Sequence, residues 1–310
     1  MAKKTRSIVA VELSPAYLKL VEMFPAENRV AAVAIEPLES ARWGDDAYLE
    51  ERIRAAIGRH KRADVSALVT SVSGSHALLR LVEIPRGEDN VLDALHWDME
   101  QYLARPLDDY LMDYQQVDSP DSDSGGVYLV AAYRRSEVER IQRLLESSGF
   151  PLVVLDVDVF AALNAFEVNY PDLQSGRSLL IKADSSSVLC VRTQNGLFLE
   201  YDLLPVNIST ADVEIETQQL LELVRQIKTR FDSVNSVWGV DNVVLCGDWV
   251  VHEKFRETLK DSLPRFLTCL DAFKEISFVP GMESGAAFMP MAAQCAGALG
   301  LALRRPGEGE

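Results

Sequence analysis

Two short turns are the places in this sequence where phosphate-binding chemistry would be expected. Residues 13–16 (Leu-Ser-Pro-Ala) and residues 183–186 (Ala-Asp-Ser-Ser) each join two apolar, strand-like segments. Glycine in such a turn lets main-chain amides approach phosphate oxygens, because glycine adopts backbone conformations that other residues rarely adopt. Neither turn contains glycine, and Pro15 also lacks an amide hydrogen. The sequence therefore predicts turns whose phosphate-binding chemistry is weakened or lost.

Few other side chains offer catalytic or metal-binding chemistry. His96 and His252 lie on predicted helices without a Cys, Asp or His partner at ligand spacing. Residues 73–76 read Ser-Gly-Ser-His but lack the G-x-S-x-G elbow of a nucleophilic serine. The four cysteines are far apart and form no C-x-x-C pair, which is typical of buried free thiols. The sequence therefore predicts no catalytic residue and no metal site.

The elements that would position the two turns occur twice, in the same order. Each copy has three short apolar strands, then an amphipathic helix and a further strand. A repeated order of this kind indicates an internally duplicated fold, which commonly frames a nucleotide cleft between its halves. The first copy comprises residues 8–12, 19–23, 30–35, 49–60 and 65–72, and the second comprises residues 179–182, 188–192, 197–204, 220–234 and 243–246.

A block between the two copies interrupts the duplication. Residues 77–155 show two strand–helix–strand passages, which predicts a small inserted α/β subdomain. Residues 153–155 and 159–166 are predicted to form a strand followed by a helix, and residues 286–303 a closely packed helix. The predicted boundaries are 1–75 for the first half, 76–155 for the insert, 156–177 for a return segment and linker, 178–304 for the second half and 305–310 for a disordered tail.

Composition limits the partners of the chain. Its formal net charge of −16 argues against duplex nucleic acid and against direct adhesion to an anionic membrane, since both need clustered Lys and Arg. No apolar run of 18 residues is present, so no membrane-spanning segment is predicted. The basic start is followed by a strand pattern rather than a signal sequence, which predicts a cytoplasmic protein.

Four segments resemble the PilM family of type IV pilus assembly proteins, which are cytoplasmic and actin-like. They are residues 7–23 (SIVAVELSPAYLKLVEM), 96–117 (HWDMEQYLARPLDDYLMDYQQV), 129–167 (beginning LVAAYRRSEVERIQRLLESSGF) and 292–304 (AAQCAGALGLALR). The two middle segments are the most specific, because they distinguish PilM from FtsA and the sugar kinases. The resemblance implies an α/β, actin-like fold of two duplicated ribonuclease H-like halves, with an inserted subdomain.

The chain departs from this family where a nucleotide would bind. The family's D-I-G-S-S-S stands here as residues 12–17, its D-I-G-A-S-T as residues 182–187 and its S-G-G-G as residues 246–249. In the family the glycines approach phosphate and the aspartates help to hold Mg²⁺. The degenerate relics of this cofactor site are Glu12, Ser14, Lys19, Ser185, Ser186 and Gly247.

These departures predict that binding of ATP and Mg²⁺ is weak or lost. Lys182 would repel a metal ion, Asp184 would repel a triphosphate, and Trp249 would fill the adenine space. Lys19 aligns with a strand lysine of the family, and is either a surviving phosphate contact or a solvated lysine at a strand edge. Residues 206–218 are too few to form the family's second cap subdomain, which is predicted to be missing or reduced.

Five residues of the insert are candidates for binding a protein partner. They are predicted to lie where the insert faces the first copy, either as simple core or as the lip of a peptide groove: Tyr102, Pro106, Leu107, Tyr110 and Tyr114. The resemblance favours the groove, because PilM-like proteins hold the short cytoplasmic N-terminal segment of the membrane protein PilN between these two subdomains. An extended peptide with apolar anchors suits such a groove.

The resemblance thus implies a scaffold, not an enzyme, that is held at the cytoplasmic side of the inner membrane by a PilN-like partner. It would link the pilus motor to the membrane complex. Two alternatives stay open. One is a working actin-like ATPase that uses Glu12 and Ser186, and the other is an adaptor of type II secretion similar to GspL, whose cytoplasmic domain shares this architecture.

Overall fold

The computed structural model describes residues 6–117, 125–206, 217–263, 267–281 and 289–304. The predicted tail at 305–310 and most of the 206–218 connection lie outside these residues, so the tail and the reduced cap stay predictions. In chain order the elements are β1 (Ser7–Leu13), β2 (Tyr17–Phe24), β3 (Arg29–Pro37), α1 (Asp46–His60), β4 (Val65–Val72), β5 (Ala77–Pro85), α2 (Val91–Glu100), β6 (Tyr110–Val117), β7 (Gly125–Arg134), α3 (Arg135–Glu146), β8 (Leu152–Val157), α4 (Asp158–Asn169), β9 (Arg177–Ala183), β10 (Ser187–Gln194), β11 (Leu197–Pro205), α5 (Thr217–Val237), β12 (Asn242–Cys246), α6 (Glu253–Ser262), β13 (Leu267–Cys269), β14 (Ser277–Phe278), α7 (Met289–Gln294) and α8 (Ala296–Ala302).

Two mixed sheets confirm the predicted duplication. The first has the strand order β14-β3-β2-β1-β4-β8, and the second has the order β11-β10-β9-β12-β13. In each half three consecutive strands are antiparallel neighbours, and the fourth strand pairs in parallel with the first of the three. The fourth strand can be parallel because a helix, α1 or α5, carries the chain back across the sheet.

Two helices, α4 and α8, lie between the sheets and share one apolar core with both of them. All seven residues of α8 are buried, and its sequence is alanine, glycine and leucine only. A Cβ at Gly300 would lie 1.6 Å from the carbonyl oxygen of Ala161 in α4, so glycine is required for this approach. The predicted close packing of the last helix is confirmed, although α7 and α8 are separate helices that meet at Cys295.

The outer face of each sheet is covered by helices of its own half. Ile53 of α1 and Leu144 of α3 pack on the first sheet, and Phe231 of α5 and Phe255 of α6 pack on the second. Helix α1 begins after Asp45, whose carboxylate accepts a hydrogen bond from the Tyr48 amide, as N-cap residues do. No helix within the described ranges is long and apolar enough to cross a bilayer.

The inserted subdomain is smaller than the sequence predicted. Its antiparallel sheet has the order β5-β7-β6, and α2 covers one face with Leu95 and Met99 in a core of its own. Helix α3 instead packs on the first half, because its apolar stripe, which includes Ile141, faces α1 and the first sheet. Strand β8 pairs in parallel with β4, so it also belongs to the first sheet.

The C-terminal part of the chain returns to the first half. Residues 277–278, which the predicted boundaries place in the second half, form β14 and pair in parallel with β3 at the edge of the first sheet. Such a two-residue strand has little signal of its own in the sequence, since strand periodicity needs several residues.

Candidate functional site

The two glycine-free turns are hairpin turns closed in the same way. The Ser14 amide donates to the Tyr17 carbonyl at 2.9 Å, and the Asp184 amide donates to the Ser187 carbonyl at 2.9 Å. The Ser14 hydroxyl also accepts from the Tyr17 amide at 3.1 Å. The Ser14 and Asp184 amides are therefore both bound to carbonyls within their own turns, as is common for small polar residues in tight turns.

Behind the turns, charged side chains from both halves meet in the interior. Two ammonium groups and four carboxylates take part, and none of these side chains exposes more than 12% of its surface. Ionised groups are buried in proteins almost only when they are paired. We call this group the ion-pair cluster, and its members are Glu12, Lys19, Asp158, Lys182, Asp184 and Asp248.

Each half contributes a lysine to a carboxylate of the other half. Lys19 Nζ of β2 lies 2.8 Å from Asp248 Oδ1, which follows β12. Lys182 Nζ of β9 lies 3.0 Å from Glu12 Oε1 of β1. Lys182 also contacts Asp184, two residues along its own chain segment. The two halves are thus joined by reciprocal ion pairs at the point where the turns face each other.

Local packing places Glu12 in this cluster. Glu12 and Lys19 are directly opposite each other in the β1–β2 hairpin, so their side chains share one face of the sheet. A Cβ at Gly297 would lie 2.5 Å from Glu12 Oε1, which means that the glycine in α8 leaves the space that the carboxylate occupies. The first half thereby places one carboxylate, Glu12, and one ammonium group, Lys19, at neighbouring positions.

Hydrogen bonds satisfy most of the remaining carboxylate oxygens. Asp248 accepts from the Ser185 amide and from Gln294 Nε2, both at 3.2 Å. Asp158, the first residue of α4, accepts from the Gly74 amide at 2.7 Å. The Ser185 amide, which points away from its own turn, is therefore already bound to a carboxylate.

The pKa values follow from burial and from the opposite charges. Burial alone would lower the pKa of Lys19, but Asp248, Glu12 and Asp184 outweigh it and raise that pKa. The pKa of Lys182 is raised for the same reason. Burial raises the pKa of Asp158 to about 6, because Lys182 Nζ, at 3.8 Å, compensates only in part. Both lysines are consequently charged at neutral pH, and burial raises the pKa values of both Asp158 and Asp248.

A cleft of about 370 Å³ opens in front of the ion-pair cluster. Its walls are the two turns, residues 71–76 and, at the outer side, Trp43 and Arg140. The Arg140 guanidinium lies over the Trp43 ring at 5.6 Å, and its Nε is 2.8 Å from Asp46 Oδ1. The cleft has the size of a small-molecule pocket at the lower end of the usual range.

The six residues predicted to be relics of a cofactor site lie in different environments in the structure. Glu12 and Lys19 enter the ion-pair cluster, whereas Ser14 bonds within its own turn. The Ser185 hydroxyl is buried, without a hydrogen-bond partner among the described residues, and Ser186 is exposed beside the cleft. Gly247 has a φ of +101°, and a Cβ there would lie 2.5 Å from the Ala183 carbonyl oxygen, so its role in this fold is close backbone packing.

The interpretation of Lys19 as a solvated lysine at a strand edge is wrong. Strand β2 lies between β1 and β3, and the Lys19 side chain is completely buried. The error has a physical cause. A lysine in an inner strand is buried only when the fold supplies carboxylates, and Asp248 comes from a distant part of the chain.

The predicted aromatic groove residues divide into core and surface. Tyr110 packs with α2 in the core of the insert, and the alternation along β6 puts Tyr114 on the same face. The opposite face of the sheet, which includes Leu79 and Ala131, joins the core that the two halves share. The predicted position of these tyrosines toward the first copy is therefore wrong, because a strand shows successive side chains to opposite faces.

Four of the five members of the predicted groove, all except Tyr110, lie at or near the surface. Tyr102 is 52% exposed and Tyr114 is 42% exposed, while Pro106 is exposed and Leu107 is half-buried. The Arg80 guanidinium stacks on the Tyr102 ring at 3.5 Å. Their part in binding a partner stays a prediction.

Two like halves with facing hairpin turns and a pair of helices between the sheets define an actin-like fold. A protein with an actin-like ATPase fold from Bacteroides thetaiotaomicron is similar in structure, with a TM-score of 0.52, 7% identity and coverage of 86% of this chain and 91% of that chain. The family described as type IV pilus assembly protein PilM matches residues 10–182, which is more than half of the chain. The chain therefore belongs to the PilM family.

Two further solved structures are similar to the chain. A PilM–PilN type IV pilus biogenesis complex matches with a TM-score of 0.82 and 20% identity, covering 96% of this chain and 98% of that chain. The cytoplasmic domain of EpsL, an inner-membrane component of the type II secretion system of Vibrio cholerae, matches with a TM-score of 0.50 and 15% identity, covering 93% and 94%. At these identities both show a shared fold. A comparison with curated protein sequences gave no significant match.

Three carboxylates of the site are already paired with ammonium groups of the protein. The Glu12 carboxylate is paired with Lys182, and Asp184 and Asp248 are paired with lysines as well. Within the described residues, no group of three or more His, Cys, Asp or Glu side chains is arranged to hold a metal ion. The Ser185 amide is engaged by Asp248 instead of being free for a phosphate oxygen.

Sequence reasoning missed Asp158, Asp248 and Gln294 as members or partners of the cluster. Asp158 has the ordinary pattern of an acidic residue in the first turn of a helix. One signal was available. Glu12 and Lys182 stand at equivalent positions of the two family motifs with opposite charges, which is what an ion pair between the halves requires.

Proposed function

We propose that this protein is a scaffold of a type IV pilus assembly machine that works without a bound nucleotide. It holds the cytoplasmic N-terminal segment of a PilN-like membrane protein and is kept at the inner membrane by that partner. Membership in the PilM family and the likeness to a PilM–PilN complex support the choice of partner. The ion-pair cluster is the observation that carries the proposed loss of nucleotide binding.

The two lysines supply the positive charge that a divalent cation would otherwise bring. Lys182 stands at the position of a family aspartate and pairs with Glu12, its counterpart in the other half. A bound nucleotide would have to break this pair and place its phosphates beside Asp184. Separating buried charges costs several kcal/mol per uncompensated ion, so the cluster opposes such a ligand.

Isothermal titration calorimetry with Mg²⁺ and ATP tests the loss of nucleotide binding. We expect no saturable heat up to millimolar ATP and no rise in melting temperature, because a ligand of the native state would stabilise it. A PilM-family protein that keeps both glycine motifs is the matched control. A dissociation constant in the micromolar range would overturn this part of the proposal.

The alternative of a working ATPase is tested by measuring ATP hydrolysis with the same protein. Steady-state release of phosphate should not exceed the background of the buffer. Turnover that disappears in Glu12→Ala would favour the ATPase, because Glu12 is the acid that this alternative uses.

Binding of the partner is tested with labelled N-terminal peptides of inner-membrane pilus proteins in fluorescence anisotropy. Tyr102→Ala and Tyr114→Ala should each weaken binding by about threefold to tenfold, since exposed aromatic residues are common anchors. Tyr110→Phe keeps the buried ring and should bind like the parent protein. Unchanged affinity in both alanine variants would exclude this surface as the binding site.

A further inference from the structure

The most exposed aromatic side chain in the described part of the chain is Trp97 of α2, which is 69% exposed. An exposed tryptophan costs solubility and is common at the centre of protein interfaces. Trp97 borders a cleft of about 430 Å³ between α2 and residues 82–85 of β5, which we call the Trp97 cleft. Its floor is apolar and includes Val82, Ile84 and Ala94.

The rim of the Trp97 cleft is acidic. Glu83, Glu88, Asp93 and Asp98 line it, and none of its described lining residues is a lysine or an arginine. Asp98 Oδ1 has no hydrogen-bond partner among the described residues, and Arg80 Nε is 3.6 Å away. The rim therefore offers a net negative charge to a cationic group, with Asp98 balanced in part by Arg80.

The cleft runs beside an open edge of a sheet. Strand β5 is an outer strand of the order β5-β7-β6, so it has a strand partner only on the β7 side. The other side of an edge strand presents amides and carbonyls that can pair with an added strand. Pro85 ends β5 at this edge and limits how far an added strand can extend.

We propose that the Trp97 cleft binds an extended, basic peptide segment of a partner protein. The segment would add to the edge of β5 by main-chain hydrogen bonds, as in strand addition. Its alternate side chains would face the cleft, with an apolar residue on the floor and a lysine or arginine over the Trp97 ring. The four rim carboxylates select a positive charge by complementarity.

This surface extends beyond the proposed role of the insert in holding a PilN-like segment. Tyr110 and Tyr114 lie on β6, at the opposite edge of the same sheet from β5. The two edges give the insert room for two different partners. Binding at the β6 edge can consequently be tested separately with Tyr114, whereas Tyr102 stacks on Arg80, the ion-pair partner of the rim residue Asp98.

Fluorescence anisotropy with a labelled eight-residue peptide of alternating lysine and valine tests the proposal. The full chain should bind this peptide, and Trp97→Ala should weaken the affinity by about tenfold. Glu83→Gln combined with Glu88→Gln should weaken it less and flatten its dependence on salt. These side chains lie at the surface, so circular dichroism should show an unchanged fold.

Two matched peptides and one matched variant make the outcome decisive. A peptide of alternating glutamate and valine should not bind, and one of alternating lysine and glycine should bind at least fivefold more weakly. Tyr114→Ala, at the other sheet edge, should bind the lysine–valine peptide like the parent. Absence of binding by the parent, equal binding of the glutamate peptide, or unchanged binding by Trp97→Ala overturns the proposal.

Discussion

The buried ammonium group of Lys19 depends on carboxylates from both halves of the molecule. Its ammonium group has no exposed surface and lies within 4 Å of three carboxylates, one from its own hairpin and two from the second half. A lysine in this environment is stabilised only if these partners keep their places. Through these contacts the Lys19 side chain stabilises the packing of the two halves against each other.

Replacement of Lys19 by methionine should destabilise the protein strongly. The aliphatic part of the side chain is retained, but Asp248 loses its 2.8 Å partner, and a buried carboxylate without a partner costs about 3–5 kcal/mol. Urea unfolding followed by circular dichroism measures the change. Lys228→Met is the control, because the exposed pair of Lys228 with Asp232 should contribute less than about 0.5 kcal/mol. Equal losses in both variants would contradict the importance of the cluster.

Asp158 should give the protein a stability that falls as pH rises from about 4 to about 6. Its carboxyl holds a proton more tightly in the folded state, where the pKa is about 6, than in the unfolded state, where it is 3.8. Folding is therefore favoured at low pH by this group, and the advantage is lost as pH passes the folded pKa. Asp158→Asn should reduce the fall between pH 4.5 and 7.5 by on the order of 2 kcal/mol.

Urea unfolding at the two pH values measures this effect. Asp184→Asn is the opposite case, because Lys182 and Lys19 overcome burial and lower the pKa of Asp184. That carboxylate stabilises the fold above its unfolded pKa of 3.8, and this stability is lost only as pH falls below that value. Asp184→Asn should therefore leave the change in stability between pH 4.5 and 7.5 nearly as in the parent. If Asp158→Asn keeps the parent's slope, another group carries the proton.

At the level of elements, the close contact of α4 and α8 should tolerate no added methyl group. Gly300→Ala would place Cβ 1.6 Å from the Ala161 carbonyl oxygen, so one helix would have to move and the variant should lose about 3 kcal/mol or more. Gly58→Ala in α1 is the matched control, since no atom lies within 4 Å of its Cβ. Alanine there should stabilise the protein by up to about 1 kcal/mol. Equal melting temperatures for the two variants would contradict this packing.

The elements themselves were largely predictable, whereas the site was not. The spacing of apolar residues in the β1–β3 and β9–β11 segments and in α5 gave the duplicated order, because local periodicity reports which face is buried. The pairing of Lys19 with Asp248 depends on how the two halves meet, and no local pattern encodes that meeting. The same reason explains β14, whose two residues pair with a strand formed by the beginning of the chain.

For the whole molecule, the ion-pair cluster predicts that the two halves resist opening together. Lys182→Met removes a partner from Glu12 in the first half and from Asp184 in the second, so amide exchange should accelerate in both β1 and β9. Hydrogen–deuterium exchange with mass spectrometry reads both strands in one experiment. Lys260→Met, at an exposed position of α6, should leave exchange unchanged. Faster exchange confined to β9 would show that the halves are independent.

The position of α8 affects how the chain can fold while it is being synthesised. Residues 296–302 fill the space beside β1, whose residues leave the ribosome nearly three hundred codons earlier. The first sheet must therefore keep an uncovered apolar surface, and Glu12 and Lys19 must lack their distant partners, until residues 296–302 have been synthesised. Contacts so far apart in sequence slow folding and lengthen exposure to aggregation. A nascent chain of this protein should accordingly depend on chaperones more than its stable strands would suggest.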